Sequence, residues 1–383
     1  VIARAPRRFR QTGRRQESSG AYVDTLLMGC ERTALRTADR VALTAEVTAR
    51  LRRGELVVLP TETVYGLAVL PSHGDAVARV RNWKGRDDQQ PFTSHIGDHD
   101  DLQRLARTVP PGVRRLTARY WPGPLTVIVP ARGGDSVGVR LPAHDFTRGV
   151  IRAAGEPLWL TSCNRTGEPP LVDPEAIVMA LGDIAHLVVD DGRSPLGVAS
   201  TIVRATGPRL EILREGILST SDVLHTAATL VVFVCTGNTC RSPLAAALAR
   251  DLTARTLGVP GDHVLAHGFA FASAGVGAYP GHPVSEGSLV VAAELDLDLG
   301  THQSEPLSPE LLARADLVFC LSRSHLQTIL AEAPEAAGKL AMLRPDGLDV
   351  ADPYGSELPI YRRVRDEIRA AVGARLPQWL PPR

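Results

Sequence analysis

From residue 41 onward the apolar positions settle into short periods. Leu43, Val47 and Leu51 recur every four residues and Gly54 follows them, so the spacing predicts a short amphipathic helix with a glycine stop. Residues 56–59 are apolar without interruption and predict a buried strand, and residues 157–160 predict another. The second half alternates in the same way. Residues 230–234 read as a β-branched strand that stops at Cys235, and a helix begins near Ser242 and runs through 245–257. A strand over 269–275 ends in Ala-Ser-Ala-Gly, a further strand covers 315–321, and residues 360–372 make a last amphipathic helix. Alternation of this kind predicts an α/β protein; in the second half it implies a parallel sheet with helices on both faces and a site at the carboxyl ends of the strands.

Two stretches carry no such period. Residues 1–40 hold six Arg before position 16 and a Ser-Ser-Gly break, and are read as a disordered extension. Mimicry of a transit peptide, or upstream sequence translated ahead of a start nearer Met28, are the other readings. Residues 220–229, small and polar, predict a linker, which leaves one domain over 41–219 and a second over 230–383.

Composition narrows the setting. A chain of 383 residues exceeds the usual single domain, and 44% apolar content lets each half bury a core. No apolar run is long enough to cross a bilayer, so no membrane association is expected. A formal net charge of +1 argues against holding nucleic acid by bulk electrostatics, while leaving room for a local basic cleft. Five Cys, odd in number and unevenly spaced, build neither a secreted disulfide framework nor a paired zinc pattern, which fits a reducing cytoplasm. Lys84 and Lys339 are the only lysines in an Arg-rich chain, which singles out the Lys beside Arg86.

The densest chemistry lies between Cys235 and Ser242. Gly237 and Asn238 tolerate left-handed backbone angles, so the loop can curl until its N–H groups face inward as an anion nest. Pro243 suits a first helical turn. A phosphoryl group there would meet backbone donors, a helix N-terminus and the fork of Arg241 together. The same positive field should lower the thiol pKa of Cys235 and yield a thiolate nucleophile. An inert buried thiol in a strand-to-helix turn is the bland alternative, and the flanking pattern disfavours it.

Cys235-Thr-Gly-Asn-Thr-Cys-Arg-Ser242 resembles the signature loop of the low-molecular-weight protein tyrosine phosphatases, and most closely that of their protein-arginine-phosphatase branch. The resemblance implies a three-layer parallel-sheet fold and no cofactor. It implies Cys235 as nucleophile, Arg241 as phosphate clamp, and Asp352 of Asp352-Pro353-Tyr354 as general acid. Thr236, Gly237, Asn238, Thr239, Cys240 and Ser242 would line the phosphate. Thr239 stands where that branch carries Thr and the tyrosine-specific branch a bulkier aliphatic residue, so phosphoarginine on proteins is the expected substrate and phosphotyrosine the second. Arsenate reduction uses a similar loop with relay cysteines, for which Cys240 and Cys320 are the candidates here.

A second resemblance runs through the first half. Pro60-Thr-Glu-Thr-Val-Tyr-Gly-Leu67 follows the first strand, then come Trp83-Lys-Gly-Arg86, Gln90-Pro-Phe, His95, Tyr120-Trp-Pro-Gly-Pro and Val139-Arg-Leu-Pro-Ala-His144. Thr161-Ser-Cys-Asn164, Ser200-Thr-Ile-Val203 and Arg214-Glu-Gly216 complete the series. Their order and spacing are similar to the Sua5/YrdC family of threonylcarbamoyl-AMP synthases, which implies a twisted open α/β sheet. Independently of the family, Lys84, Arg86, Arg140 and Arg214 are cations that an anion such as ATP would neutralise. Ser162 and Asn164 suit phosphate or carboxylate oxygens.

By the resemblance, Lys84, Arg86, Gln90, Ser136, Asn164 and Arg214 contact ATP, with Mg2+ on its phosphates. Thr63, His95, Arg140, Ser162 and Ser200 contact L-threonine. Threonine and bicarbonate form a carbamate that attacks the α-phosphate of ATP. The adenylate then passes to a tRNA-modifying threonylcarbamoyl transferase, in the t6A37 modification of tRNA. Asp87, Phe92 and Cys163 depart from the family pattern, which has Pro, Leu and Ala there. The competing reading of this half is a module that binds tRNA or double-stranded RNA in a basic concavity without making the adenylate.

Overall fold

The four-residue spacing of Leu43, Val47 and Leu51 becomes the buried face of a helix over Arg40–Arg52, whose N-terminus is capped by the Asp39 carboxylate accepting from the Val41 and Ala42 N–H groups. The computed structural model describes residues 23–27, 29–85 and 91–380. The readings placed on Arg86, Asp87 and Gln90, and on residues 1–22, lie outside them. Two compact units result: one takes in the chain up to Gly97 together with Pro142–Val198, the other Asp98–Leu141 and the chain from Ala199 on.

In the first unit the strands lie in the order Val23–Leu27, Cys30–Ala34, Leu187–Asp190, Val57–Leu59, Gly66–Val69, Leu158–Ser162, Thr93–His95. The pairings are mixed. Val57–Leu59 runs parallel to Leu187–Asp190 and antiparallel to Gly66–Val69 across the turn at 60–65. The unbroken apolar run has a simple cause, because both faces of the sheet are covered. Val57 and Leu59 pack with Leu43, Val47 and Leu51, while Leu56 and Val58 pack with Tyr65, Val80, Ile177 and Leu181. Phe92 and Cys163, two of the departures from the family pattern, belong to this second core, and the Phe92 ring lies 5.5 Å from that of Trp159.

The expected disordered extension over 1–40 fails at its end. Cys30–Ala34 pairs in parallel with Leu187–Asp190, and Val23–Leu27 pairs with it antiparallel. Charges rather than apolar period hold it: Arg32 donates through Nε and Nη2 to Asp190 Oδ2 at 2.9 and 2.7 Å, and Arg50 reaches Glu31 at 2.6 Å.

The second unit contains a run of strands Ser136–Arg140, Leu125–Pro130, Thr201–Arg204, Glu211–Arg214, and a separate four-stranded sheet ordered Phe269–Gly275, Thr229–Cys235, Leu317–Cys320, Leu340–Met342. All neighbours in the four-stranded sheet are parallel. Alternation along Thr229–Cys235 builds its layers. Val231, Phe233 and Cys235 face the helices Arg241–Leu257 and Leu358–Arg375, whereas Leu230, Val232 and Val234 face Pro309–Arg314 and Arg323–Glu332. The three-layer parallel sheet expected from the sequence is therefore present.

The expected linker is a helix. Thr220–Ala227 is N-capped by Ser219, whose hydroxyl accepts from Asp222 N at 3.1 Å. Its small residues let it lie against the helix Pro111–Tyr120: a Cβ on Gly112 would sit 3.0 Å from Ala227 O. Arg115 donates to Ala227 O through Nε and Nη2 at 3.0 and 2.7 Å and to Thr229 Oγ1 at 3.2 Å. From the other side Arg314 donates to Ala228 O at 2.9 Å and to His225 O. Val223 and Ala227 are its buried face, and its C-terminal carbonyls, the groups a helix leaves unsatisfied, are held by the two arginines.

Arg115→Ala removes a charged donor that makes three hydrogen bonds to two acceptors, which should cost about 2 kcal/mol. Chymotryptic nicking after Leu224, resisted by the native chain, should then appear; a variant as resistant as the native chain would show that the helix is held by other means.

Candidate active site

The loop after the strand Thr229–Cys235 is shaped by where its carbonyls go. Cys235 O accepts from Val276 N and Thr236 O from Gly277 N, both at 3.0 Å. Asn238 O accepts from His302 Nε2 at 2.9 Å, and Thr239 O from Ser285 N at 2.9 Å. In a trans peptide the N–H points opposite to the C=O, so the N–H groups of Thr236, Gly237, Thr239 and Cys240 turn to the other side, into the loop. These carbonyl partners are what the anion nest expected from Gly237 and Asn238 would require. Gly275 permits the close approach, since a Cβ there would lie 2.3 Å from Thr236 O.

Asn238 is the pin of the loop. It is fully buried with φ at 54°, a left-handed angle that Asn accepts more readily than other side-chain-bearing residues. Its Nδ2 donates to Ser242 Oγ and Ser273 Oγ, each at 2.9 Å, and its Oδ1 accepts from Glu305 N at 2.8 Å. Ser242, on the first turn of the helix Arg241–Leu257, places its hydroxyl 2.9 Å from Cys235 Sγ. Cys240 Sγ donates to Ser285 Oγ at 3.1 Å.

Arg241 and Asp352 meet, although 111 residues separate them. Arg241 Nη2 donates to Asp352 Oδ2 at 2.5 Å and Nη1 to Val350 O at 3.2 Å, while its Nε is buried with no partner. Asp352 is half exposed, its other oxygen accepting from Tyr354 N at 3.2 Å. A buried guanidinium with a spare N–H beside a strand-end thiol and a solvent-reaching carboxylate suits a tetrahedral oxyanion and a proton transfer. Cys320 takes no part: it is fully buried in its strand, and burial pushes its thiol up to about 12, which removes it as a redox relay.

His302, Ser273 and Ser285 support the loop without having been singled out in the sequence. Each lies far along the chain from the residue it holds, and the Ala-Ser-Ala-Gly that ends the strand over 269–275 marked Ser273 only as part of a strand end.

Within the first unit, Lys84 ends the helix Gly74–Lys84 and is buried; Nζ donates to Asn164 O at 2.5 Å, with Ser162 Oγ at 3.3 Å and Asn164 Oδ1 at 3.4 Å. Lys84, Ser162 and Asn164 are thereby brought together. Cys163 between them points into the core, and burial pushes its thiol to about 12. Thr63 is fully buried in the turn at 60–65, its hydroxyl 3.0 Å from Thr61 Oγ1. His95 ends the strand Thr93–His95, its Nδ1 3.2 Å from Thr93 O.

Within the second unit, Arg214 donates to Ser200 O at 3.0 Å and Ser200 Oγ at 3.3 Å, and Ser200 Oγ lies 2.9 Å from Thr126 Oγ1. Burial, and then the charge of Arg140, hold Arg214 below the ordinary guanidinium value. Arg140, Ser200 and Arg214 are thus one group with like charges close together. Ser136 is exposed at the opposite end of the strand from Arg140. The guanidinium, ammonium and hydroxyl donors of both groups suit anions, and among the described residues no group of three or more His, Cys, Asp or Glu could hold a metal ion.

A family model described as "Telomere recombination" (Sua5, YciO, YrdC) matches residues 49–216, and one described as low molecular weight phosphotyrosine protein phosphatase matches residues 230–379. A threonylcarbamoyl-AMP synthase of Bacillus subtilis (strain 168) is 32% identical over 47% of this chain and 55% of its own length, so the chain spans about half of that relative. A putative threonylcarbamoyl-AMP synthase of Mycobacterium tuberculosis (strain H37Rv) is 34% identical over 45% of this chain and 83% of its own. A probable low molecular weight protein-tyrosine-phosphatase of Ralstonia nicotianae is 32% identical over 39% of this chain and 93% of its own.

Asn238→Ala removes three buried hydrogen bonds and leaves a left-handed angle that Ala resists, so a loss of about 2–4 kcal/mol is expected in chemical denaturation. The same variant should lose protection of Cys235 from iodoacetate by inorganic phosphate; intact protection would mean the loop does not depend on this side chain.

Proposed function

We propose that this chain, which belongs over residues 49–216 to the Sua5/YrdC family and over residues 230–379 to the low-molecular-weight phosphatase family, is a bifunctional enzyme with a domain boundary near the helix Thr220–Ala227. The observation that carries the phosphatase activity is the Arg241–Asp352 pair at 2.5 Å beside the loop that starts at Cys235. Cys235 Sγ, as thiolate, attacks phosphorus while the loop N–H groups and Arg241 hold the phosphoryl oxygens. Asp352 gives its proton to the leaving atom, and a phosphocysteine forms. Water then attacks phosphorus, Asp352 takes its proton, and phosphate leaves with the thiolate restored. Ser242, at 2.9 Å, offers the sulfur anion a hydroxyl.

Phosphoarginine on a protein is the preferred substrate, on the small side chain of Thr239 at the loop. Full-length chain should hydrolyse phosphoarginine faster than phosphotyrosine, and Cys235→Ser should abolish both; equal or faster phosphotyrosine turnover removes the preference.

The first domain makes threonylcarbamoyl-adenylate from L-threonine, bicarbonate and ATP for a downstream tRNA-modifying transferase. Lys84 with Asn164, together with Arg86, Gln90, Ser136 and Arg214, serves the nucleotide; Thr63, His95, Arg140, Ser162 and Ser200 serve threonine. Support comes from the buried ammonium fixed on Asn164 and from the repulsion between Arg140 and Arg214, which a bound anion relieves. Catalysis is positioning and charge neutralisation, with the carbamate displacing pyrophosphate at the α-phosphate. No helix among the described residues is long and apolar enough to cross a membrane.

Pyrophosphate release should require threonine and bicarbonate together, and Lys84→Ala should slow it by about 100-fold. Release of pyrophosphate without threonine, or tRNA binding with no release at all, would replace the synthase by the RNA-binding reading.

A further inference from the structure

His325 has a place in the phosphate site that the mechanism above does not use. It is 3% exposed, on the first turn of the helix Arg323–Glu332. Its N–H is held by Ser322 Oγ at 3.4 Å, and the preceding Arg323 N by Asp349 Oδ1 at 2.7 Å, so the turn that carries it is anchored on both sides. Its Nε2 lies 2.9 Å from the hydroxyl of Thr236, the residue that follows the nucleophile. Its Nδ1 is buried with no partner.

Three charged groups act on the ring: Arg241 from the helix Arg241–Leu257, and Asp349 and Asp352 from the segment that follows residue 343. Burial, and then Arg241, push its pKa from the ordinary 6.5 down to about 4, against the pull of both aspartates. At neutral pH the ring is uncharged and holds the Thr236 hydroxyl without drawing an anion away from Arg241. An aliphatic side chain would fill the same space without burying an unpaired ring nitrogen, so packing alone does not account for an imidazole here.

We propose that His325 is a positioning residue of the phosphate loop: by holding the Thr236 hydroxyl it fixes the first peptides after Cys235, so that their N–H groups stay aimed at the bound phosphoryl oxygens. The carbonyls of Cys235 and Thr236 tie these peptides to Val276 and Gly277 on one side. The imidazole supplies the tie on the side of the helix Arg323–Glu332, and the loop is braced between two layers. This rests on the phosphatase reading.

The test is a set of full-length variants. His325→Leu should lower kcat/KM about tenfold, the rate equivalent of one buried hydrogen bond, and Thr236→Val at its exposed position should do the same. The double variant should be no worse than either single one. His325→Gln, whose side-chain amide reaches the place of Nε2, should stay within about threefold of the native chain, which a packing role would not produce. Equal losses for Leu and Gln, full additivity with Thr236→Val, or an unchanged His325→Leu overturn the proposal.

A native chain that turns over no phosphorylated substrate sinks the phosphatase reading instead. The proposal is then decided by protection of Cys235 from iodoacetate by inorganic phosphate. The half-protecting concentration should rise several-fold in His325→Leu and not in His325→Gln, and any other order of the two overturns it.

Discussion

The second half of the molecule depends on which way a few carbonyls point. The carbonyls of Cys235, Thr236, Asn238 and Thr239 are satisfied outside the loop, by Val276, Gly277, His302 and Ser285, and an anion nest over these peptides would depend on that. Without those outside donors the oxygens would be free to turn inward, and the loop would repel what it is shaped to hold. Asn238 makes the arrangement unique. One side chain accepts the left-handed angle, ties the loop to Ser242 and Ser273, and reaches Glu305 N beyond. The nucleophile's surroundings are therefore a consequence of backbone satisfaction, with the side-chain chemistry laid over it.

Such a loop needs a rigid support. The strand Thr229–Cys235 is central to a sheet whose two faces carry separate cores, so its apolar residues leave no soft side. At its start, Leu230 N donates to Asp316 Oδ2 at 2.8 Å, and Arg115 and Arg314 hold the carbonyls just before it. The same logic operates in the first unit, where Val57–Leu59, buried on both faces, leads into the turn bearing Thr61 and Thr63. Thr63, like Cys235, is thus placed by a strand that is buried on both faces.

What the sequence disclosed and what it withheld follow from range. The strand ending at Cys235, the turn with Gly237 and Asn238, and the helix after it are local signals, and they are where the pattern put them. The Asp-Pro pair at 352 was legible only through resemblance, since no local rule links it to Arg241. His302, Ser285 and His325 were silent because their roles exist only across the packed layers. The strand Cys30–Ala34 was missed because ion pairs at Glu31 and Arg32, which no periodicity analysis reads, replace the apolar contacts of an inner strand. The helix Thr220–Ala227 was missed for a related reason: small polar residues read as a linker until Arg115 and Arg314 supply the partners.

The charges of the two candidate sites bear on how each would respond to its ligand. Arg140 and Arg214 are like charges near one another, so an anion entering beside them relieves repulsion already present. Arg241 is already paired with Asp352, so a phosphoryl group competes with a carboxylate for the guanidinium. On the phosphatase reading that competition is productive. Displacing Asp352 frees its carboxyl from the guanidinium, so that on this reading it can turn to the leaving group. The Nε of Arg241, buried without a partner, is a donor that the carboxylate does not use.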